Sequence, residues 1–512
     1  MSETIVELYQ LPENWKWTTI QELGQVVSGG TPSTRKPEYW GGETAWITPA
    51  DLSGYNEKYI EGGAKSITRE GLKNSSARLM PPGSIHFSSR APIGYVVISK
   101  KAISTNQGFK SLVPAEGVFN EYVYYYLKSA KQLAEKRASG TTFKELSGKV
   151  FSQLPIPIPP LNEQRRIVAK IEELFSELDA GVAALEQARA QLKRYRQALL
   201  KAAFEGRLTE QWRQARAEEL EPAGALLARI RAEREARWRA QLAEWEEAVQ
   251  AWEAAGKPGK KPRKPRKPKE LPPLSEEERA ALPGLPEGWA YEYLGAIAEI
   301  SGGITKNQKR KNLPLQVPFL RVANVYANRL ELEKVDVIGV TQSEVERTLL
   351  QPGDLLIVEG NGSIEQIGRV AMWNGEVDIC LHQNHLIKAR LLPQAMPKFV
   401  LYFLLSELGR KMITTVASST SGLHTLSLSK VSKLIIPLCS LDEQKEIVGF
   451  LESHLSTVDH LDQAIAQSLA QAAGLRQAIL KKAFSGRLVP QDAEDEPASV
   501  LLERIRTGYT SH

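Results

Sequence analysis

The chain has 512 residues, more than one hydrophobic core usually organises, so two or three domains are expected. Its 66 basic and 60 acidic residues give a formal charge of +6, and 42% hydrophobic with 25% charged residues describes a folded protein rather than a disordered or membrane-embedded one. No apolar run approaches a spanning helix, the start MSETIVELYQLPENW lacks the basic-then-apolar order of a leader, and Cys380 and Cys439 are too few for a disulfide framework or a zinc cage. A cytoplasmic protein is expected.

Residues 1–160 alternate short apolar runs (Ser84-Ile85-His86-Phe87, Tyr95-Val96-Val97-Ile98) with turns: LPENW at 11–15, SGGTP at 28–32, Pro82-Gly83, Ile93-Gly94 and Ser139-Gly140. One aromatic helix follows, its Tyr122, Tyr125 and Tyr126 at i, i+3, i+4 being read as core. This is an α+β pattern. Arg35 and Lys36, Arg90 in SSRAPIG, and Asn106 and Gln107 in TNQG stand on its turns. Arginine can pair with guanine, lysine with phosphate, and asparagine or glutamine with adenine, so these are DNA-contact candidates. A solvated loop or cap is the alternative role for each.

Residues 161–208 form a long helix with a heptad seam at Ile171, Leu174, Leu178, Gly181, Leu185, Ala188, Leu192, Tyr195 and Leu199. Residues 209–255 read as a charged helical insert, and 256–284 as a linker opening GKPGKKPRKPRKPKELPP, extended because its prolines fix φ and its like charges repel. Residues 257–269 hold 8 of the 66 basic residues and no acidic one, leaving 58 against 60 elsewhere. Residues 1–160 carry 18 basic and 14 acidic residues, and 285–440 carry 16 and 14, so overall charge says little about either domain.

Residues 285–440 repeat the α+β plan, with LPEGW at 285–289, Ser301-Gly302-Gly303, Pro352-Gly353, Ile367-Gly368, Ser421-Gly422 and the aromatic trio Phe399, Tyr402 and Phe403. Here the DNA-contact candidates are Lys306, Lys309, Arg310, Lys311, Arg321, Asn324 and Asn361. Residues 441–488 give a second long helix with its seam at Leu451, His454, Val458, Leu461, Ile465, Ser468, Ala472, Leu475 and Ile479, and 489–512 a helical tail. Leu161–Leu208 and Leu441–Leu488 align without gaps with roughly 22 of 48 positions identical, at a period of roughly 275 to 280 residues. Pro222–Arg231 (PAGALLARIR) likewise parallels Pro497–Arg506 (PASVLLERIR). The chain is a duplication. Each seam's natural cover is the other, giving an intramolecular coiled coil, antiparallel if the repeats are related by a pseudo-twofold axis, a rod on the order of 65 Å that acts as a ruler; an oligomerisation coil is the alternative role.

Enzyme motifs are missing: there is no phosphate-cradling G-x-x-x-x-G-K-[ST], no dinucleotide fingerprint and no proline-proline-aromatic loop. Asp354 and Glu359 suggest a metal-dependent nuclease, but Asn361 stands where a lysine is wanted, and His382 and His385 read as core or loop. The alternatives are a self-contained DNA-cleaving enzyme or an orphan coiled-coil DNA-binding protein.

The helix openings PPLNEQRRIV and CSLDEQKEIV, the endings KAAFEGRL (201–208) and KKAFSGRL (481–488), and the LPENW/LPEGW turns together resemble the specificity subunit of type I restriction-modification systems. The resemblance implies two target recognition domains, each reading half of an asymmetric bipartite DNA site, with the helices setting the unread spacer. It also implies a non-catalytic chain that joins two methyltransferase subunits and restriction/translocase subunits. S-adenosylmethionine, ATP and Mg²⁺ are expected on those partners and not on this chain.

Overall fold

The computed structural model describes residues 9–90, 92–140, 144–265, 267–268, 270–392, 395–420 and 423–509. The opening MSETIVEL, Ala91 of SSRAPIG, Ser421-Gly422 and the linker cations Arg266 and Lys269 lie outside these residues, as does the side chain of Asn361. The chain divides into two compact units, residues 1–187 with 464–512, and residues 188–463. Each unit therefore holds one α+β domain, the first part of that domain's own long helix and the last part of the other long helix. The helices themselves run unbroken over Leu161–Phe204 and Leu441–Phe484. Among the described residues no helix is long and apolar enough to cross a membrane.

In the first unit a five-stranded sheet orders Gly24–Ser28, Phe109–Pro114, Ile85–Ser88, Val96–Ser99 and Tyr59–Ile60. In the second, a four-stranded sheet orders Ala298–Gly302, Leu386–Leu391, Leu355–Val358 and Val370–Met372. The four shared strands have the same order and are antiparallel in both. Ile85–Ser88 and Leu355–Val358 are buried along their whole length, which is why they read as continuous apolar runs and not as alternations.

Smaller sheets repeat too. Lys65–Ile67, Trp40–Ile47 and Ile103–Thr105 match Asp336–Val340, Leu315–Leu320 and Leu381–His382, each with one antiparallel and one parallel pair. The duplication thus continues through segments where sequence identity has faded. Its surviving landmarks have a backbone cause: Gly83 and Gly353 lead into matching strands at φ +85° and +93°, a left-handed conformation that side chains rarely adopt.

The aromatic helices are Asn120–Ser129 and Pro397–Leu405, and all six rings of the two trios are buried in the cores, as expected. The insert forms Glu210–Gln214 and Ala223–Ala254. Ala223, Leu226, Leu227 and Ile230 enter the second unit's core, while Ala498, Leu501, Leu502 and Ile505 of Ala498–Tyr509 enter the first unit's core. That explains the PAGALLARIR/PASVLLERIR repeat.

Candidate nucleic-acid interface and the joints that hold it

The motifs shared by the two halves meet at one joint in each unit. Glu163 and Glu443, the carboxylates of the two EQ-bearing helix openings, are each only 1% exposed. In the first unit Trp15 Nε1 donates to Glu163 at 2.9 Å and Gln491 Nε2 at 2.6 Å. In the second, Trp289 Nε1 donates to Glu443 at 2.8 Å, Thr209 Oγ1 at 2.7 Å and Arg213 Nη1 at 2.6 Å. Burial pushes the Glu163 carboxyl upward against the bonds from Trp15 and Gln491.

The adjoining glutamines pin the aromatic helices. Gln164 accepts from Phe119 N (3.3 Å) and donates to Pro159 O (3.0 Å), and Gln444 accepts from Met396 N (3.1 Å) and donates to Cys439 O (3.0 Å).

The helix endings complete each joint from the other repeat. Phe484 packs edge-on against Tyr122 and Tyr126, as Phe204 does against Phe399 and Phe403. Gly486 (φ +69°) and Gly206 (φ +70°) follow, where an added Cβ would lie 2.4 Å from Pro12 Cγ and 2.3 Å from Pro286 Cγ. The turn carbonyls of Asn14 and Gly288 then accept from Ala498 N (3.0 Å) and Ala223 N (2.8 Å), starting the docked helices. LPxxW, EQ and AFxGRL are therefore parts of a single lock, made twice.

Within the units the long helices meet through charges: Arg189 Nε to Asp462 Oδ1 at 2.8 Å, and the Arg196–Asp459 and Asp179–Arg476 pairs. The seam needs correction here. Leu461 and Leu475 are 48% and 51% exposed, and the buried stripe of the second helix passes through Leu451, Leu455, Val458, Ile465, Ala472 and Ile479. Leu455 is buried beside half-buried His454, and Asp462 and Arg476 reach their partners on the first helix, while Ser468 and Leu475 line one groove with Leu178, Gly181 and Leu185. In the first helix Ile171 and Leu199 are buried, Leu174, Leu178, Leu185 and Leu192 are half-buried, and Tyr195 is exposed.

The candidate contact residues fall into two groups. Several are committed to the fold. Asn324 is buried, accepting from Arg321 N (2.9 Å) and donating to Glu331 O (2.8 Å) and Lys334 O (2.9 Å), so it clamps its own loop and is not an exposed reader. Arg310 forks onto Glu344 (2.8 and 3.1 Å) and reaches Thr305 O, holding the Glu344 carboxyl down at about 2. Arg90 pairs with Glu145 at 3.3 Å, and Lys306 and Arg321 share Asp336 at 3.0 and 3.4 Å.

The remaining candidate cations are available. Arg35, Lys309 and Lys311 are exposed with no ion pair among the described residues, and exposed Lys36 rests on Tyr39. Thr31 Oγ1 donates to Gln107, tying the SGGTPS loop to the TNQG loop, while Asn106 Oδ1 caps Gly108 N at 2.9 Å. Asn361 lies on the strand Gly360–Asn361, paired with His424.

The structure adds residues that sequence reading passes over. Gln383 and Asn384 occupy the turn after the parallel strand Leu381–His382, matching Asn106 and Gln107 after Ile103–Thr105. Backbone bonds Ile304 N to His382 O (2.8 Å) and Asn384 N to Ile304 O (3.0 Å) tie that turn to the second SGG loop, as Gly30 N to Thr105 O (2.9 Å) does in the first domain. An amide pair just before an apolar run in both halves is the signal that could have found them. Lys110 and Lys388 also match, each opposite a serine of the SGG motif, Ser28 and Ser301. Both are buried, and burial lowers both ammonium groups, Lys388 to about 8.

The nuclease candidates are spent elsewhere. Arg390 grips both oxygens of Asp354 at 2.7 Å, Glu359 holds exposed His385 at 3.0 Å, and His382 is buried against Leu386 O.

Two matching sheet domains, each locked to helix ends by an internal carboxylate and each presenting cations and amides on paired loops, make a duplicated binding protein. The chain belongs to the type I restriction modification DNA specificity family: the family's specificity domain matches it twice, over residues 12–188 and 286–471. Its role in such a system is DNA sequence specificity, not catalysis. It is 41% identical over 174 residues to the type I restriction enzyme MjaIX specificity subunit of Methanocaldococcus jannaschii, a match covering 34% of this chain and 40% of that protein. It is 25% identical over 406 residues to the EcoKI specificity subunit of Escherichia coli, covering 77% and 73%. Its fold is shared with a chain solved in work on complex assembly and conformational transition of the type I R-M system, at TM-score 0.62, 19% identity and coverage of 94% of this chain and 100% of that one. The HsdS subunit of Thermoanaerobacter tengcongensis gives 0.50 and 18%, covering 94% and 99%.

Proposed function

We propose that this chain reads an asymmetric bipartite DNA site, one half with each sheet domain, and so directs adenine methylation and restriction by partner subunits in the cytoplasm. The observation that carries the reading is the pairing of one scaffold with two loop sets. The strand orders match, but SGGTPSTRK and SGGITKNQKRK differ in length, charge and sequence, and TNQG and HQNH differ in sequence. Arg35, Lys36 and Gln107 contact one half-site, and Lys309, Lys311, Gln383 and Asn384 the other. The pairs 189–462 and 196–459 support an antiparallel coiled coil, since one number rises as the other falls. In this reading the coil fixes the unread spacer. Two methyltransferase subunits and the restriction/translocase subunits dock on the assembly, bringing S-adenosylmethionine, ATP and Mg²⁺.

Domain exchange tests it. Replacing residues 1–160 with the corresponding domain of a relative of known site should change one half of the methylated motif and leave the other half and the spacer intact. A motif altered in both halves would refute the division of labour.

A further inference from the structure

Trp238, Trp245 and Trp252 recur every seven residues along Ala223–Ala254, so they stand on one face about 10.5 Å apart. The Lys/Pro segment that follows does not float free. Trp252 Nε1 donates to Pro258 O at 2.9 Å and Trp245 Nε1 to Pro262 O at 2.9 Å. Lys257, Lys264 and Lys267 lie over the rings of Trp252, Trp245 and Trp238 at 5.9, 5.2 and 5.5 Å. The segment therefore runs back along the helix. Three residues of an extended proline-rich chain advance about 9.3 Å, close to the seven-residue step of the helix, which is how Lys264 and Lys267 meet successive tryptophans.

The same threefold period sorts the side chains. Pro262, Pro265 and Pro268 are partly covered, while Lys257, Lys260, Lys261, Arg263, Lys264 and Lys267 are exposed and make no ion pair among the described residues. These are six cations on a stiffened support, in a chain whose recognition domains are close to neutral.

We propose that this segment is a cationic rail that grips the phosphates of duplex DNA without regard to sequence, held straight by the tryptophan ladder. The proposal rests on the reading that the chain binds DNA. It assigns the rail a salt-sensitive share of affinity beyond what the few loop cations of the domains supply. Preorganisation matters because a loose chain of the same charge would lose the entropy of ordering on every contact.

The test is binding of the full-length chain to a random 30-base-pair duplex, followed by fluorescence anisotropy across a NaCl series. Changing the six cations to glutamine should lower the slope of log Kd against log salt by about 3 to 5, at about 0.9 per phosphate released. It should leave the preference for the chain's own methylated motif over random duplex unchanged. Replacing the three tryptophans with leucine, cations intact, should give a smaller loss of affinity. A slope within about 1 of the unmodified chain for the glutamine variant would overturn the rail. Full affinity in the leucine variant would overturn the ladder's part. Retention of a polyglutamate chain in place of duplex would assign the surface to an acidic protein and overturn the proposal. An unmodified chain with no motif preference would instead sink the specificity reading, whatever its salt slope.

Discussion

Replacing Glu443 with alanine removes the acceptor for three donors at once: Trp289 Nε1, Thr209 Oγ1 and Arg213 Nη1. Arg213 is 16% exposed at its side chain and keeps Gly206 O as a hydrogen-bond acceptor, so its charge stays largely buried without a counter-ion. Breaking a buried pair from one side costs about 3–5 kcal/mol, much of it the stranded partner. Removing Arg213 as well should recover about 2 kcal/mol, so the double variant is more stable than the sum of the single losses. Trp289→Phe, which loses one hydrogen bond and little apolar area, should cost about 1–2 kcal/mol. Urea unfolding of these variants beside the unmodified chain, monitored by far-ultraviolet circular dichroism, gives the coupling. A Glu443→Ala loss below about 1 kcal/mol, or strict additivity with Arg213→Ala, would refute the claim that the carboxylate holds the joint together.

Three further outcomes follow from the same geometry. Gly486→Ala forces a Cβ into a left-handed backbone and to within 2.4 Å of Pro12 Cγ, and should cost about 1–3 kcal/mol; a neutral effect in thermal unfolding would contradict that packing. His86 is fully buried against Ser111 Oγ, and burial lowers its imidazole to about 3, and that of His382 to about 4. A base whose folded pKa is depressed contributes stability that is complete above the unfolded value of about 6.5 and is lost as pH falls toward the folded value, at up to about 1.4 kcal/mol per pH unit for each histidine. His86→Gln should flatten that acid limb, and an unchanged limb would show that His86 does not titrate on unfolding. Gln107→Ala should relax base preference in one half of the methylated motif and Asn384→Ala in the other, each by about 1–3 kcal/mol of discrimination, read as the spread of methylated sequences; an unchanged spread in either variant would remove that residue from the base contacts.

Much of this plan is legible in the chain itself. The helix repeat, the buried aromatic trios and the matched turns follow from periodicity and from glycine chemistry, since a residue at φ +85° or packed on a proline leaves little choice of side chain. Other features are not, because they depend on partners distant in sequence. Asn324 has the type and turn setting of a base reader, and only its bonds to Glu331 and Lys334 reveal a clamp. A heptad stripe on the second long helix can run through either His454 or Leu455, and packing buries Leu455 more deeply while pairing charged Asp462 and Arg476 with the first helix. Composition alone makes the Lys/Pro segment a free linker, yet the tryptophans seven residues apart that hold it are plain in the sequence. The amide pair Gln383 and Asn384 becomes comparable with Asn106 and Gln107 only once both are seen to follow a parallel strand.

Single-molecule sequencing of methylated adenines in a host with and without this chain tests the central claim most directly. Two different half-motifs separated by an unread spacer, lost when the chain is deleted, are the predicted result. A palindromic or continuous motif dependent on the chain, or a bipartite motif that persists without it, would contradict it.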